Sequence, residues 1–340
     1  MRGLLRRLGG RPDATAEPLP ELVELTEEDR RYLTSLYDDS MPLPAGAEER
    51  LRPDHPRLAA LRAAYDAVDL PVRVPSRWSA ERVEGFLDLR WFRGETLITW
   101  HYRELPRISR LKYYVMLRYV AERDRTGLLG RLSEDGAFGC WTFEYPGHSR
   151  VSRDLLESIN ELEFLERELG LAARERFSVL DIGAGYGRLA HRMATAYPNL
   201  SHYCCVDAIA ESTFLSEYYL EFRRVAPPAR VVPLHEIEAQ LEPGSFDLAV
   251  NIHSFSECTL QAIEWWVDLL ARLKVPEVVI VPNEPTDLLS LEPDGGRLDF
   301  APALAAAGYE LTTREPVYAD PAVRDLVGLG DHFHRFTLRG

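Results

Sequence analysis

The pattern of apolar and polar positions divides the 340-residue chain into two parts. In the first, apolar residues recur at helical spacing within polar stretches. They predict a short helix near 26–37, where Thr26 can cap and Glu27, Glu28 and Asp29 suit a helix N-terminus. Three more helices are expected near 56–68, 80–92 and 109–123. In the last of these, Leu111, Tyr114, Val115 and Tyr119 are spaced for one buried face, with Arg118 at its edge. Residues 124–150 are rich in Gly and aromatics and read as loop. An amphipathic helix follows Ser152, with Leu155, Ile159, Leu162, Leu165 and Leu169 on one face. From 177 onward the pattern changes. Short apolar runs at 177–182, 203–206, 230–234, 246–252 and 277–281 alternate with helical stretches, which predicts a parallel, doubly wound α/β sheet. A helix over 301–307 stops at Gly308, and 309–316 and 332–338 supply two closing strands. The expected organisation is a disordered tail over 1–20, a mainly helical region over 21–150 and an α/β domain over 151–340.

Composition narrows the function classes. A hydrophobic share of 46% and a charged share of 28% are those of a soluble globular chain. The net charge of −14 repels a phosphate backbone, so no nucleic-acid partner is expected. Arg2, Arg6, Arg7 and Arg11 cluster at the start but lack a following apolar core, so they read as a tail and not as a secretory signal. No apolar run approaches the roughly 18 residues of a membrane span. Cys140, Cys204, Cys205 and Cys258 form no C-x-x-C pair. They read as reduced thiols of a cytoplasmic protein, not as a disulfide frame or zinc site.

The central motif is Val-Leu-Asp-Ile-Gly-Ala-Gly-Tyr-Gly-Arg over 179–188. A buried strand runs into Asp181, then Gly183, Gly185 and Gly187, then a helix. The glycines permit positive φ and close ligand approach, and the helix N-terminus offers N–H groups to an anion. A dinucleotide fold is the rival, but its glycines run G-x-G-x-x-G, and Arg188 stands where the third should be. The spacing therefore favours S-adenosylmethionine (SAM). Its ammonium suits Asp181, its carboxylate the helix N-terminus, and its ribose Asp207 at the end of the second strand. A glycine-rich turn without a ligand does not account for the paired acids. Five alternating units, a terminal strand pair and an antiparallel last strand are what a class I methyltransferase needs, a Rossmann-like doubly wound sheet here preceded by helices. His235 and Glu236, after the third strand, are weaker candidates beside an adenine.

In such sheets ligands sit beyond the C-terminal strand ends. That directs attention to Asn251, His253 and Glu257 after strand four, with Asn251 near the cofactor. His253 has the intrinsic pKa for a general base toward a hydroxyl acceptor, or it satisfies a buried backbone group. Ser254-x-x-Glu257 matches a helix capping box, which would make Glu257 structural instead of catalytic. Asn283 and Glu284 occupy the loop after strand five and suit acceptor hydroxyls, or form a plain turn. His334, on one face of the last strand with His332, is a further candidate. So are Tyr145 and His148, in a loop just before the helix that leads into strand one. No Asp-Asp pair follows strand four, so no metal is expected.

Together, GAGYGRLA, NIHSFSE, the PNEP loop and DFAPALAAAGYELTTREPVY resemble the sugar O-methyltransferase family encoded in bacterial gene clusters for antibiotics and polysaccharides. The resemblance covers about residues 135–340. It implies methylation of a sugar hydroxyl on a small molecule, with Asp181, Gly183, Gly185, Gly187 and Asp207 binding SAM. It places Asn251, His253, Glu257, Asn283 and Glu284 in the active-site cleft. Methyl transfer to nitrogen or carbon and a non-catalytic SAM-fold scaffold remain alternatives. A small-molecule acceptor and a homo-oligomer are the partners considered.

Overall fold

The computed structural model describes residues 43–74, 77–94, 106–283 and 288–339. The tail over 1–20, the helix near 26–37 and Glu284 lie outside the described residues.

Seven strands form one sheet in the order β3-β2-β1-β4-β5-β7-β6. They are β1 (Phe177–Ile182), β2 (Leu200–Val206), β3 (Ala229–Val231), β4 (Leu248–Ile252), β5 (Glu277–Val281), β6 (Tyr309–Pro316) and β7 (His332–Leu338). The first five are parallel. β7 runs antiparallel between β5 and β6. This is the fold class expected from the sequence, with its inserted antiparallel strand. All of β1 is buried, as befits a central strand covered on both faces.

Alternation along β1 feeds two cores. Leu180 and Ile182 join Phe214, Trp266 and Leu270 on one face, while Phe177 and Val179 join Leu155, Ile159 and Met193 on the other. Each fully buried Leu or Phe contributes about 1.5–3 kcal/mol. Apart from single-turn helices, the helices around the sheet among the described residues are α1 (Pro56–Asp66), α2 (Ala80–Phe86), α3 (Pro106–Ala121), α4 (Arg153–Leu169), α5 (Arg188–Ala196), α6 (Ala210–Phe222), α7 (Leu260–Leu273), α8 (Ala301–Ala306) and α9 (Pro321–Val327). Ser152 caps α4 by accepting from the Leu155 N–H, and Leu155, Ile159, Leu162 and Leu165 are buried as expected.

Helix α3 presents a different face from the one expected. Of the expected face, Leu111 and Tyr114 are exposed, Val115 is half-buried and Tyr119 is buried; Tyr113, Met116, Leu117 and Val120 are buried as well. The second set is an unbroken i, i+3, i+4, i+7 stripe, whereas Arg118 interrupts the first. The helix expected over 80–92 ends at Phe86, and the chain then turns to bury Arg93.

The described residues before 150 are tied to the sheet by polar contacts as well as by packing. Tyr65 shares a 2.6 Å hydrogen bond with Thr213 and accepts one from the Leu234 N–H. Arg93 and Arg192, both fully buried, each bond to Glu134 and Asp154. Tyr186, inside the glycine loop, also donates to Asp154. Glu134, Cys140 and Asp154 bring three potential ligand atoms within 4.8 Å. Both carboxylates are already neutralised by the two arginines, so the cluster works as a buried charge network. Among the described residues, no helix is long and apolar enough to cross a membrane.

Candidate functional site

A cavity opens where β1, β2 and β4 end. Its walls are the glycine loop, Asp181, Asp207, the segment from Ile252 to Ser254, Glu257, the start of α4 (Arg153, Asp154, Glu157), and Val72, Arg73, Val74 and Trp78. The site lies at the topological switch point between β1 and β4, where the chain connections diverge and leave a crevice.

Gly183, Gly185 and Gly187 all have positive φ, at 74°, 58° and 85°. At Gly183 the reason is partly internal. A Cβ there would stand 2.2 Å from Ser254 Oγ and 2.3 Å from its Cβ, so the loop can pass beneath strand four's exit only as glycine. Gly187 opens α5 without any side-chain cap, which leaves first-turn N–H groups for a ligand.

The two acids behave differently. Asp207 shapes the loop as well as lining the cavity, since its Oδ2 accepts from the Gly185 N–H at 3.0 Å and its Oδ1 from the Ile209 N–H at 2.9 Å. Asp181 Oδ2 accepts from the Tyr203 hydroxyl at 2.7 Å, and Oδ1 makes no hydrogen bond among the described residues. Burial raises both carboxyls to about 7, against the smaller lowering by their hydrogen bonds. A buried carboxylate with one oxygen turned to a cavity is short of a cation, and an ammonium group fits that need. Val72, Ile209, Ala262 and Trp266 give the same cavity an apolar wall suited to a flat ring. The residues present therefore fit SAM.

His253 lines the cavity with a left-handed backbone, φ 67°, held by a 2.6 Å hydrogen bond from its N–H to the Val281 carbonyl. Such a conformation costs a non-glycine residue about 1–3 kcal/mol and persists where the surroundings enforce it. Its Nε2 lies 3.2 Å from Asp331 Oδ2. Burial alone would lower the His253 pKa. The hydrogen bond and charge of Asp331, with Glu157 and Glu161, outweigh burial and raise it above 6.5.

Glu257 is not a capping residue. Helix α7 is capped by Thr259, which accepts from the Ala262 N–H, and the turn at 255–257 has no side-chain cap. The Glu257 carboxylate instead accepts from Trp78 Nε1 at 2.6 Å and Asn283 Nδ2 at 2.9 Å, with Arg77 3.6 Å away. Burial raises its pKa, partly offset by Arg77 and Trp78. Glu257 thus fastens the 77–78 segment and the loop after β5 to the rim of the cavity. Asn283 reaches the site through this contact.

Other sequence candidates stand elsewhere. Asn251 lies outside the cavity lining, because its amide bridges the Ile182 carbonyl and the Phe255 N–H. It braces the loop instead of facing a ligand. His334 sits opposite Ile280 within the sheet, buried, with its pKa lowered to about 4 by burial. Tyr145 and His148 are also outside the lining. The Phe143–Val151 bridge turns their loop onto α3, where Tyr145 bonds to the Arg110 carbonyl and packs on Tyr114, and His148 is exposed. His235 and Glu236 pair with each other at 3.3 Å and do not line the cavity. Sequence reasoning missed Trp78, Arg153, Glu157 and Asp331. Arg153 and Glu157 had a signal, since they face each other at i, i+4 on the helix leading into β1.

No protein-family model and no curated protein matches the sequence. Solved structures share the architecture loosely. The [4+2]-cyclase SpnF matches at 14% identity and a TM-score of 0.42, over 67% of this chain and 96% of its own. A SAM-dependent methyltransferase from Aquifex aeolicus matches at 17% identity and 0.38, over 52% and 87%. One from Mesorhizobium loti matches at 12% identity and 0.39, over 52% and 97%. The strand order and the inserted antiparallel β7 of this chain are themselves those of the class I methyltransferase fold.

Proposed function

We propose that the protein is a SAM-dependent O-methyltransferase that methylates a hydroxyl of a sugar or glycosylated small molecule. The observation that carries the reading is Asp181, a buried carboxylate with Oδ1 bare at the cavity, beside a positive-φ glycine loop. In this reading Asp181 holds the SAM ammonium, Asp207 the ribose hydroxyls, and the N-terminus of α5 the carboxylate. SAM, when bound, supplies a methyl group on a sulfonium sulfur, and the C–S bond pair leaves with the sulfur as the acceptor oxygen bonds to carbon. The chain's part is to align the acceptor and remove its proton. His253 is the base. Both it and Glu257 line the cavity, but the Glu257 carboxylate is already bonded to Trp78 and Asn283, whereas His253 Nδ1 makes no hydrogen bond among the described residues. Arg153 and Glu157 offer polar groups for acceptor hydroxyls on the opposite wall. The resemblance of GAGYGRLA, NIHSFSE and PNEP to sugar O-methyltransferases supports the acceptor class.

The test is methyl transfer from isotopically labelled SAM to a panel of nucleotide sugars and glycosides, with fragment mass spectra of the product. The expected product carries the methyl on a sugar oxygen. Label on nitrogen or carbon would assign a different transferase, and no transfer despite SAM binding would favour a scaffold. His253→Ala should lower kcat by about 10²–10⁴ and leave SAM affinity nearly intact. A loss of melting temperature with a modest rate change would make His253 a packing residue.

A further inference from the structure

The topology brings an unexpected carboxylate to the site. Because β7 is antiparallel, its first residues come to the edge where the parallel strands end. Asp331 immediately precedes β7, and its carboxylate reaches His253, which immediately follows β4. Between them lies the end of β5, whose Val281 carbonyl holds the His253 backbone. Asp331 is 8% exposed, and its carboxylate makes no hydrogen bond or ion pair among the described residues other than the 3.2 Å ion-pair contact with His253 Nε2. Placing a carboxylate at low exposure with a single partner is costly, so the pairing is the feature to explain.

The geometry points to Asp331 as a positioning residue that fixes the tautomer of His253, holding the proton on Nε2 and leaving the Nδ1 lone pair toward the cavity. This inference rests on the proposed role of His253 as base and names the group that makes it one. A neutral imidazole carries one N–H, and the hydrogen bond made by one nitrogen decides which nitrogen keeps it. Nε2 lies 3.2 Å from Asp331 Oδ2, and because a carboxylate only accepts, this contact favours the proton on Nε2. Nδ1 makes no hydrogen bond among the described residues and is not enclosed by protein, since His253 lines the cavity. In the reaction the acceptor O–H bond breaks, its proton passes to Nδ1, and the oxygen pair goes to the methyl carbon. The resulting imidazolium lies against the Asp331 carboxylate, which stabilises its charge. The other charged groups facing His253 are Glu157 and Glu161 on α4, and Glu257 beyond β4. They favour the imidazolium too, but none hydrogen-bonds either ring nitrogen.

The experiment needs no acceptor. Full-length protein labelled with ¹⁵N-histidine is titrated by NMR with S-adenosylhomocysteine bound, and His253→Gln assigns the resonances. The neutral wild-type ring should show a protonated Nε2 and a bare Nδ1. Asp331→Asn, of equal size and still able to accept, should lower the His253 pKa and populate both tautomers. Where transfer is measurable, the rising limb of its pH–rate profile should move down by the same amount. An unchanged pKa and tautomer in a folded Asp331→Asn protein would overturn the inference, as would a variant that only melts earlier. If wild type shows the Nε2–H tautomer but transfers no methyl group, the reading of the reaction fails while the pairing stands. Should Asp331→Asn not fold, the wild-type tautomer alone decides, and a proton on Nδ1 refutes the inference.

Discussion

Replacing Asp181 by Asn should strengthen the unliganded fold and ruin cofactor binding at once. The carboxyl is buried, its one hydrogen bond comes from Tyr203, and its pKa is raised to about 7. Its pKa in the unfolded chain is near 3.8. An acid whose folded pKa is raised favours the folded state when protonated. Stability is therefore greatest below about 4 and is lost as pH rises from there through 7. Above pH 7 the whole cost is present, on the order of 4 kcal/mol. Asn keeps the acceptor for Tyr203 and carries no charge, so at pH 8 the ligand-free variant should melt several degrees higher than wild type. SAM binding should behave oppositely. An ammonium partner needs the ionised form, so wild-type affinity should fall about fivefold between pH 7 and pH 6. In Asp181→Asn it should be weak by tenfold or more at pH 8 and nearly flat with pH. Differential scanning calorimetry and titration calorimetry between pH 6 and 8 read both effects. A variant that melts lower at pH 8 and binds SAM like wild type would refute the reasoning.

Three further outcomes are expected. Gly183→Ala should lose about 1–3 kcal/mol of stability along with SAM affinity, because its Cβ meets Ser254 at 2.2–2.3 Å; adding Ser254→Gly should restore part of the melting temperature. Asp207→Ala should weaken SAM and S-adenosylhomocysteine by similar factors, worth about 1.5–3 kcal/mol, as titration calorimetry would show; a change in turnover alone would contradict the ribose role. Arg93→Met should cost about 3–5 kcal/mol in denaturant unfolding, since it strands Glu134 and Asp154 with Arg192 alone; a neutral effect would mean the network is no tie.

The sheet was legible because its strands are short apolar runs with polar or glycine breaks, and because β1 ends in acid and glycines. The acids at 181 and 207 were legible for the same reason, since a strand end fixes where a side chain stands. What sequence could not give is which of two acceptable stripes a helix buries, as on α3, where an exposed Leu111 is tolerated. Nor could it separate a capping box from a tertiary clasp at Ser254-x-x-Glu257, because the choice depends on Thr259 taking the cap and Trp78 taking the carboxylate. Tyr145 and His148 lie near α4 along the chain, but a strand-like bridge folds them away. Asp331 carried no local signal. It meets His253 only because the last strand runs backwards.

The most direct test is calorimetric titration of the full-length protein at pH 8 with S-adenosylhomocysteine. Saturable binding at one site is expected, weakened by tenfold or more in Asp181→Asn while that variant stays folded. A folded wild-type protein that releases no binding heat and gains no melting temperature with this ligand or with SAM would contradict it.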